Sequence, residues 1–423
     1  MGKQMQQTNA RALRKVFCLA IFCVVSAAVA VDFEKIALVD SFDFATFCDP
    51  ETRTGNTAII DHVLGTGATA VYWRNQSADW PRYPSREMDR RQMAHGLDKR
   101  RRANWNLVYG WLRLDRGRDV KNLMADAFSQ LRARGVNTGI HLTFEETHCR
   151  IAWTFSPWNL DHPQYWVRLR DDIPYAGRCS FFYDEVLAHK MRLVDELLEM
   201  DGDTILLDFY RAGWWTPAYE YVPGMCAEFR KTYGEEPPKD AKDPRWLKLV
   251  GKYMERYLRA IRARIDASPR KKRFMVCLSV CSGGLPRPAP EMLPDGAAYD
   301  RLCLENLALD WKKLAADGVF DAVAVASAVI AENERDPWGK IAMVYDHVRA
   351  NCGKAALYGH CSMYDYQQCG IARCAKAAGI SQAEAARKLL EVARACGAKG
   401  VLMECVDPGN YPPDVMEAIR SFK

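Results

Sequence analysis

Eight short apolar runs recur along the chain, each followed by a polar loop and then by a segment whose apolar residues fall at helical spacing. The runs are KIALVD (35–40), TAVYWR (69–74), TGIHLTF (138–144), DTILLD (203–208), FMVCLSV (274–280), DAVAVAS (321–327), KAALYGH (354–360) and KGVLMEC (399–405). Between them, YDEVLAHKMRLVDELLEM sets Val186, Leu187, Met191, Val194, Leu197 and Leu198 on one helical face, with charged residues opposite. SQAEAARKLLEVARACGA opens with Ser381 and Glu384 in the spacing of a capping box. Strands that read as unbroken apolar runs are enclosed on both faces, as parallel strands under a layer of helices are. Strand and helix repeated eight times, with no Pro- or Gly-rich linker between halves, predicts an α/β fold: a (β/α)8 TIM barrel with long βα loops after strands two to five. A doubly wound open sheet would need a Gly-rich first turn to hold a nucleotide, and SFDFATFCD follows the first run instead.

The first thirty residues stand apart. Arg11, Arg14 and Lys15 precede fifteen apolar residues, VFCLAIFCVVSAAVA, that end in the small-x-small pattern Ala28, Val29, Ala30. This reads as a signal peptide over 1–30, leaving 31–423 as a single catalytic domain of an exported protein, periplasmic or extracellular. The run is shorter than a membrane span, so no span is expected after cleavage. Removing Lys3, Arg11, Arg14 and Lys15, with no acid among the thirty, takes the formal net charge from +6 to +2. A nearly neutral chain carries no electrostatic footprint for nucleic acid, although RRQMAHGLDKRRR (90–102) is locally basic. Thirteen cysteines remain, an odd number, so at least one is a free thiol in a monomer; Cys361, Cys369 and Cys374 form the most plausible place for a bridge. His141, His148 and His360 are too scattered for a zinc site, and no metal or other cofactor is expected.

In such a barrel the C-terminal ends of the strands line one face. Strand one ends at Asp40, strand two at Arg74 and Asn75, strand three at Glu145 and Glu146, strand four at Asp208 with Tyr210 and Arg211 close behind. Strand seven ends at His360, with Tyr364 soon after, and strand eight at Glu404 and Asp407; strands five and six offer mainly Ser279, Ser282 and Ser327. Hydrolysis of a glycosidic bond needs one acid to protonate the leaving oxygen and a second carboxylate to attack or to activate water. Two acids from different strands of one rim meet that need. Asp208 is the first choice, with Glu404 or Glu145 as its partner; Asp40, Glu146 and Asp407 read as structural or loop residues. A structural ion pair of Asp208 with Arg211 or Arg74 is the less favoured reading, and His141 points into the barrel or at the substrate according to strand register.

Aromatic residues near these ends fit a sugar ligand, because flat rings stack on the apolar faces of pyranoses. Trp214 and Trp215 are the leading candidates, while Trp73, Trp153, Trp158, Trp166, Tyr219 and others equally serve to anchor loops. The expected substrate-binding set is Arg74, Asn75, His141, Tyr210, Arg211, Trp214, Trp215, His360 and Tyr364.

The stretches HPQYWVRLRDD, FFYDEVLAHKMRLVDELLEMDGDTILLDFYR, CAEFRKTYGEEPP and RWLKLVGKYMERYLRAIRARI together resemble the family 10-like glycoside hydrolases, most closely over 160–265. The resemblance implies a secreted TIM-barrel glycosidase acting on a polysaccharide or glycoconjugate, with Asp208 in the place of the family's strand-four acid. One departure is that strands five to seven carry no acid directly at their ends. That departure motivates a second expectation, a barrel that binds carbohydrate without cleaving it.

Overall fold

A computed structural model of the chain describes residues 33–44, 47–48, 52–77, 80–81, 83–87, 122–144, 157–209, 216–280, 295–326, 330, 334–363, 370–404 and 406–423. The expected signal peptide therefore lies outside the described residues. The eight apolar runs form eight parallel strands: β1 (Glu34–Val39), β2 (Ala70–Arg74), β3 (Asn137–Thr143), β4 (Thr204–Asp208), β5 (Arg273–Leu278), β6 (Ala322–Val325), β7 (Ala356–His360) and β8 (Gly400–Glu404). They close into a barrel in sequence order, β8 pairing with β1. Followed from Glu404 through Leu38, Tyr72, Gly139, Thr204 and Arg273 and on round the sheet, the paired positions re-enter the line of β8 at 396, eight residues upstream. Eight strands with a stagger of eight define the (β/α)8 barrel and tilt its strands by about 36°.

Helices flank the strands: α1 (Arg53–Gly65), α2 (Leu123–Ala133), α3 (Asp184–Leu198), α4 (Pro244–Ala267), α5 (Gly296–Leu307), α6 (Pro337–Asn351), α7 (Gln382–Ala395) and α8 (Pro413–Arg420). Their starts are written locally. Side chains of Thr52, Asn122, Asp243, Asp295, Asp336 and Ser381 each accept a hydrogen bond from a first-turn amide. Along α4, Trp246, Val250, Tyr253, Tyr257, Ile261 and Ile265 recur every three or four residues and are buried. The loop after β3 adds a short antiparallel hairpin, Trp166–Arg168 with Pro174–Cys179, which the sequence pattern did not predict.

Register decides which side chains enter the lumen. Ile36, Leu38, Ala70, Tyr72, Leu206, Met275, Cys277, Ala322, Ala324, Ala326, Tyr358 and Leu402 pack together as one core. Alternation along each strand then turns Asp40, Arg74, His141, Asp208, Ser279, His360 and Glu404 inward one step further toward the C-terminal mouth. At the opposite end Arg273 bridges the hydroxyls of Tyr72 (3.0 Å), Tyr358 (3.2 Å) and Thr204 (3.1 Å), and Tyr358 donates to Glu34 at 2.7 Å. Gly139 makes room for the Tyr72 ring: a Cβ there would lie 2.4 Å from it.

Candidate active site

Four polar groups from neighbouring strands pair off at the mouth. Arg74 on β2 forms an ion pair with Asp40 just past β1, both buried. His141 on β3 and Asp208 on β4 meet at 2.8 Å between Nε2 and Oδ2. An ionised carboxylate only accepts, so the imidazole Nε2–H donates and fixes the ring's tautomer. Both pairings follow from adjacency in the barrel: β1 lies beside β2, and Thr143 sits opposite Asp208 in the β3–β4 ladder. The sequence offered Arg211 or Arg74 as partners for Asp208; the structure instead sets His141 against it, Arg74 pairs with Asp40, and Arg211 lies outside the described residues.

Glu404 ends β8, and Asp208 ends β4, four strands round an eight-strand ring and so on opposite walls. Asp208 is 1% exposed and Glu404 2%. The chain around Glu404 is pinned from behind, because Ser362 donates to its carbonyl at 3.0 Å and Tyr411 at 3.3 Å. Similar anchors hold the other ends: Asn306 donates to the carbonyl of Val280 beyond β5, and the Tyr345 hydroxyl accepts the backbone amide of His360 at 2.9 Å. Strand ends fixed in this way hold their side chains on rigid elements.

The wall from β5 to β7 differs from the rest. Ser279, Ala326 and His360 face inward there, without an acid. His360 is 4% exposed, and burial pushes its imidazole down to about 4 while the Asp208 charge pulls the other way, so the ring is neutral at physiological pH. Neither of its ring nitrogens, nor the Ser279 hydroxyl, has a hydrogen-bond partner among the described residues. Asn75 is buried beside the mouth, where its amide lies 3.5 Å from the Gln76 side chain.

The structure thus brings Asp208, His141, Arg74, Asn75, His360 and Glu404 to one end of the barrel. Glu145, Tyr210, Arg211, Trp214, Trp215 and Tyr364 lie outside the described residues. Two aromatic candidates have structural work: Trp73 is buried on the helix-facing side of β2, and Trp158 is stacked between His162 (4.2 Å) and His189 (4.1 Å). Of the expected disulfide set, Cys369 lies outside the described residues. Cys361, a free thiol, and Cys374 are both buried in the core. Ser279 is the residue whose importance the sequence hides, because being buried without a partner is a property of the folded chain.

No group of three or more His, Cys, Asp or Glu is arranged to hold a metal ion, and no helix is long and apolar enough to cross a membrane, among the described residues. The fold defines a class: a parallel eight-strand barrel with its polar groups gathered at the C-terminal mouth. No protein-family model and no curated protein matches the chain. Among solved structures it is similar to the catalytic domain of a beta-amylase from Paenibacillus polymyxa, at 10% identity and a TM-score of 0.51, over 93% of this chain and 98% of that one. It is also similar to a beta-galactosidase from the psychrophilic Marinomonas ef1, at 9% identity and a TM-score of 0.54, over 92% of this chain and 58% of that one. At these identities the likeness is one of fold alone, that of a (β/α)8 barrel.

Proposed function

We propose that this protein is an exported glycoside hydrolase of the family 10-like group, cleaving O-glycosidic bonds of a polysaccharide or glycoconjugate with paired carboxylates. The observation that carries the reading is the inward, buried placement of Asp208 and Glu404 on opposite walls of one barrel mouth. Asp208, oriented by the His141 N–H, is the carboxylate that attacks the anomeric carbon or takes the proton of an attacking water. Glu404 is the acid that protonates the leaving oxygen. Arg74 acts through Asp40 to shape the mouth. Asn75 and His360 belong to the sugar-facing wall, and Tyr210, Arg211, Trp214, Trp215 and Tyr364, outside the described residues, are the further substrate-binding candidates. Glu145 is the rival partner for Asp208. The barrels of the beta-amylase and the beta-galactosidase, both glycoside hydrolases, support the reading through fold alone.

The test is release of new reducing ends from a glycan panel by the purified protein, alongside Asp208→Asn and Glu404→Gln. Each variant is expected to lose about 10²–10⁴-fold in kcat, the usual scale for acid–base groups. Wild-type rates in Asp208→Asn remove that residue from the mechanism, and an active Glu404→Gln transfers the acid's role to Glu145. That no acid ends β5 to β7 among the described residues favours a second reading, a barrel that binds carbohydrate without cleaving it. Calorimetric binding with no reducing ends after prolonged incubation would select it.

A further inference from the structure

Register fixes how Asp208 and Glu404 face one another. Followed from partner to partner round one half of the barrel, Asp208 leads through Cys277, Ala324 and Tyr358 to Gly400, four residues before Glu404. Round the other half, Glu404 leads through Leu38, Tyr72 and Gly139 to Thr204, four residues before Asp208. A stagger of eight over eight strands shifts the level by one residue per strand. Four strands therefore cancel the four residues, and the two acids stand at one height, half a turn apart. With Arg74 on β2 and Ala326 just beyond β6 they make one layer of four from alternate strands. Within that layer Asp208 and Glu404 are an opposed pair.

This placement sets the gap between the carboxyl groups. Eight strands about 4.8 Å apart and tilted by about 36° put opposite backbones about 15 Å apart. An aspartate carries its carboxyl carbon about 2.5 Å inward, a glutamate about 4 Å, and the pleat brings each backbone about 1 Å further in. With both side chains extended straight at the axis, about 6.5–8.5 Å is left. Asp208 is also hydrogen-bonded at 2.8 Å to His141 on the next strand, which ties its carboxyl to its own side of the lumen. A covalent glycosyl intermediate needs the two carboxyl groups about 5–5.5 Å apart, whereas about 6.5–9.5 Å leaves place for a water between base and sugar.

We infer that the reaction runs with inversion at the anomeric carbon, in a single displacement. This rests on the hydrolase reading above and deepens it by giving Asp208 the role of base and not of nucleophile. Asp208, the acceptor of the His141 N–H, takes a proton from water as the water oxygen bonds to the anomeric carbon. The glycosidic C–O bond breaks with its electron pair moving to the leaving oxygen, which takes the proton of Glu404. Asp208 ends protonated and Glu404 ionised, and exchange with solvent restores both.

The experiment follows the first product formed by the full wild-type chain in ¹H NMR, before the free sugar equilibrates its anomers. The probes are the α and β p-nitrophenyl glycosides of glucose, galactose, mannose, xylose and N-acetylglucosamine, with cellotetraose, maltotetraose and chitotetraose for cleavage within a chain. Whichever is cleaved is expected to give the opposite anomer first. The 2,4-dinitrophenyl 2-deoxy-2-fluoro glycoside of the same sugar and configuration should leave the protein's mass unchanged, since no glycosyl ester forms on Asp208. Glu404→Gln should slow an oligosaccharide about 10²–10⁴-fold but the 2,4-dinitrophenyl glycoside less than about tenfold, because that leaving oxygen needs no proton. Asp208→Asn should slow both alike. A first product in the substrate's own configuration, or a glycosyl ester on Asp208, overturns inversion and leaves the hydrolase reading standing. A protein that cleaves none of the probes removes hydrolysis and inversion together. The anomer is read on the wild-type chain, so the result does not depend on either variant folding.

Discussion

Lowering the pH from 7 to 4 charges His360 in the unfolded chain well before it does so in the folded barrel. The unfolded imidazole titrates near 6.5, whereas burial pushes the folded one down to about 4. With the folded value the lower of the two, the unfolded state binds the proton first across that window. Stability from this group is therefore fully present above about pH 6.5, lost as the pH falls, and flat again below about 4. Integrating the linkage relation between those limits, His360 alone removes about 2 kcal/mol by pH 5 and about 3 kcal/mol by pH 4. Urea unfolding of wild type and His360→Gln at half-unit steps from pH 7.5 to 4 measures it, because carboxylates titrating elsewhere cancel in the difference. Glutamine is close in size and cannot ionise, and the ring it replaces has no hydrogen-bond partner among the described residues to lose. Parallel curves for the two proteins would refute the reasoning, since His360 would then be hydrated or paired in the folded state.

Three further outcomes are expected. Arg74→Met leaves the buried Asp40 carboxylate without its guanidinium and should cost about 3–5 kcal/mol in urea unfolding, with much of that recovered by adding Asp40→Leu. Gly139→Ala places a methyl 2.4 Å from the Tyr72 ring and should destabilise by about 1–3 kcal/mol, an effect that Tyr72→Leu relieves in a thermal melt of the double variant. Lys272, which donates to the carbonyls of Met200 and Gly202, has its ammonium pushed down to about 8 by burial, below its unfolded value. Its contribution to stability therefore rises as the pH climbs from about 8 to about 10.5, and unfolding curves for Lys272→Met should lack that slope.

The barrel was readable because its strands are covered on both sides and so appear as unbroken apolar runs; KIALVD at 35–40 and the observed Glu34–Val39 differ by a single step. The gathering of Asp208, His360 and Glu404 at one end followed from their position after those runs. Pairing was another matter. Arg74 and Asp40 are 34 residues apart and meet only because β1 and β2 are neighbours, and His141 turns inward only because of the register between β2 and β3. The hairpin at Trp166–Arg168 stayed hidden because three residues cannot show a period. Cys361, Cys369 and Cys374 read as a loop set, whereas Cys374 is buried within the helix Ile371–Ala378 and Cys361 is buried just past the end of β7, burial that only the packed chain reveals.

The hydrogen-bonded cluster of Arg273 with Tyr72, Tyr358, Thr204 and Glu34 bears on traffic as well as on stability. It stoppers the bottom of the lumen with large side chains, beneath the packed apolar core. Among the described residues the lumen below Asp208 is filled, so a molecule bound at that carboxylate would enter and leave from the C-terminal end.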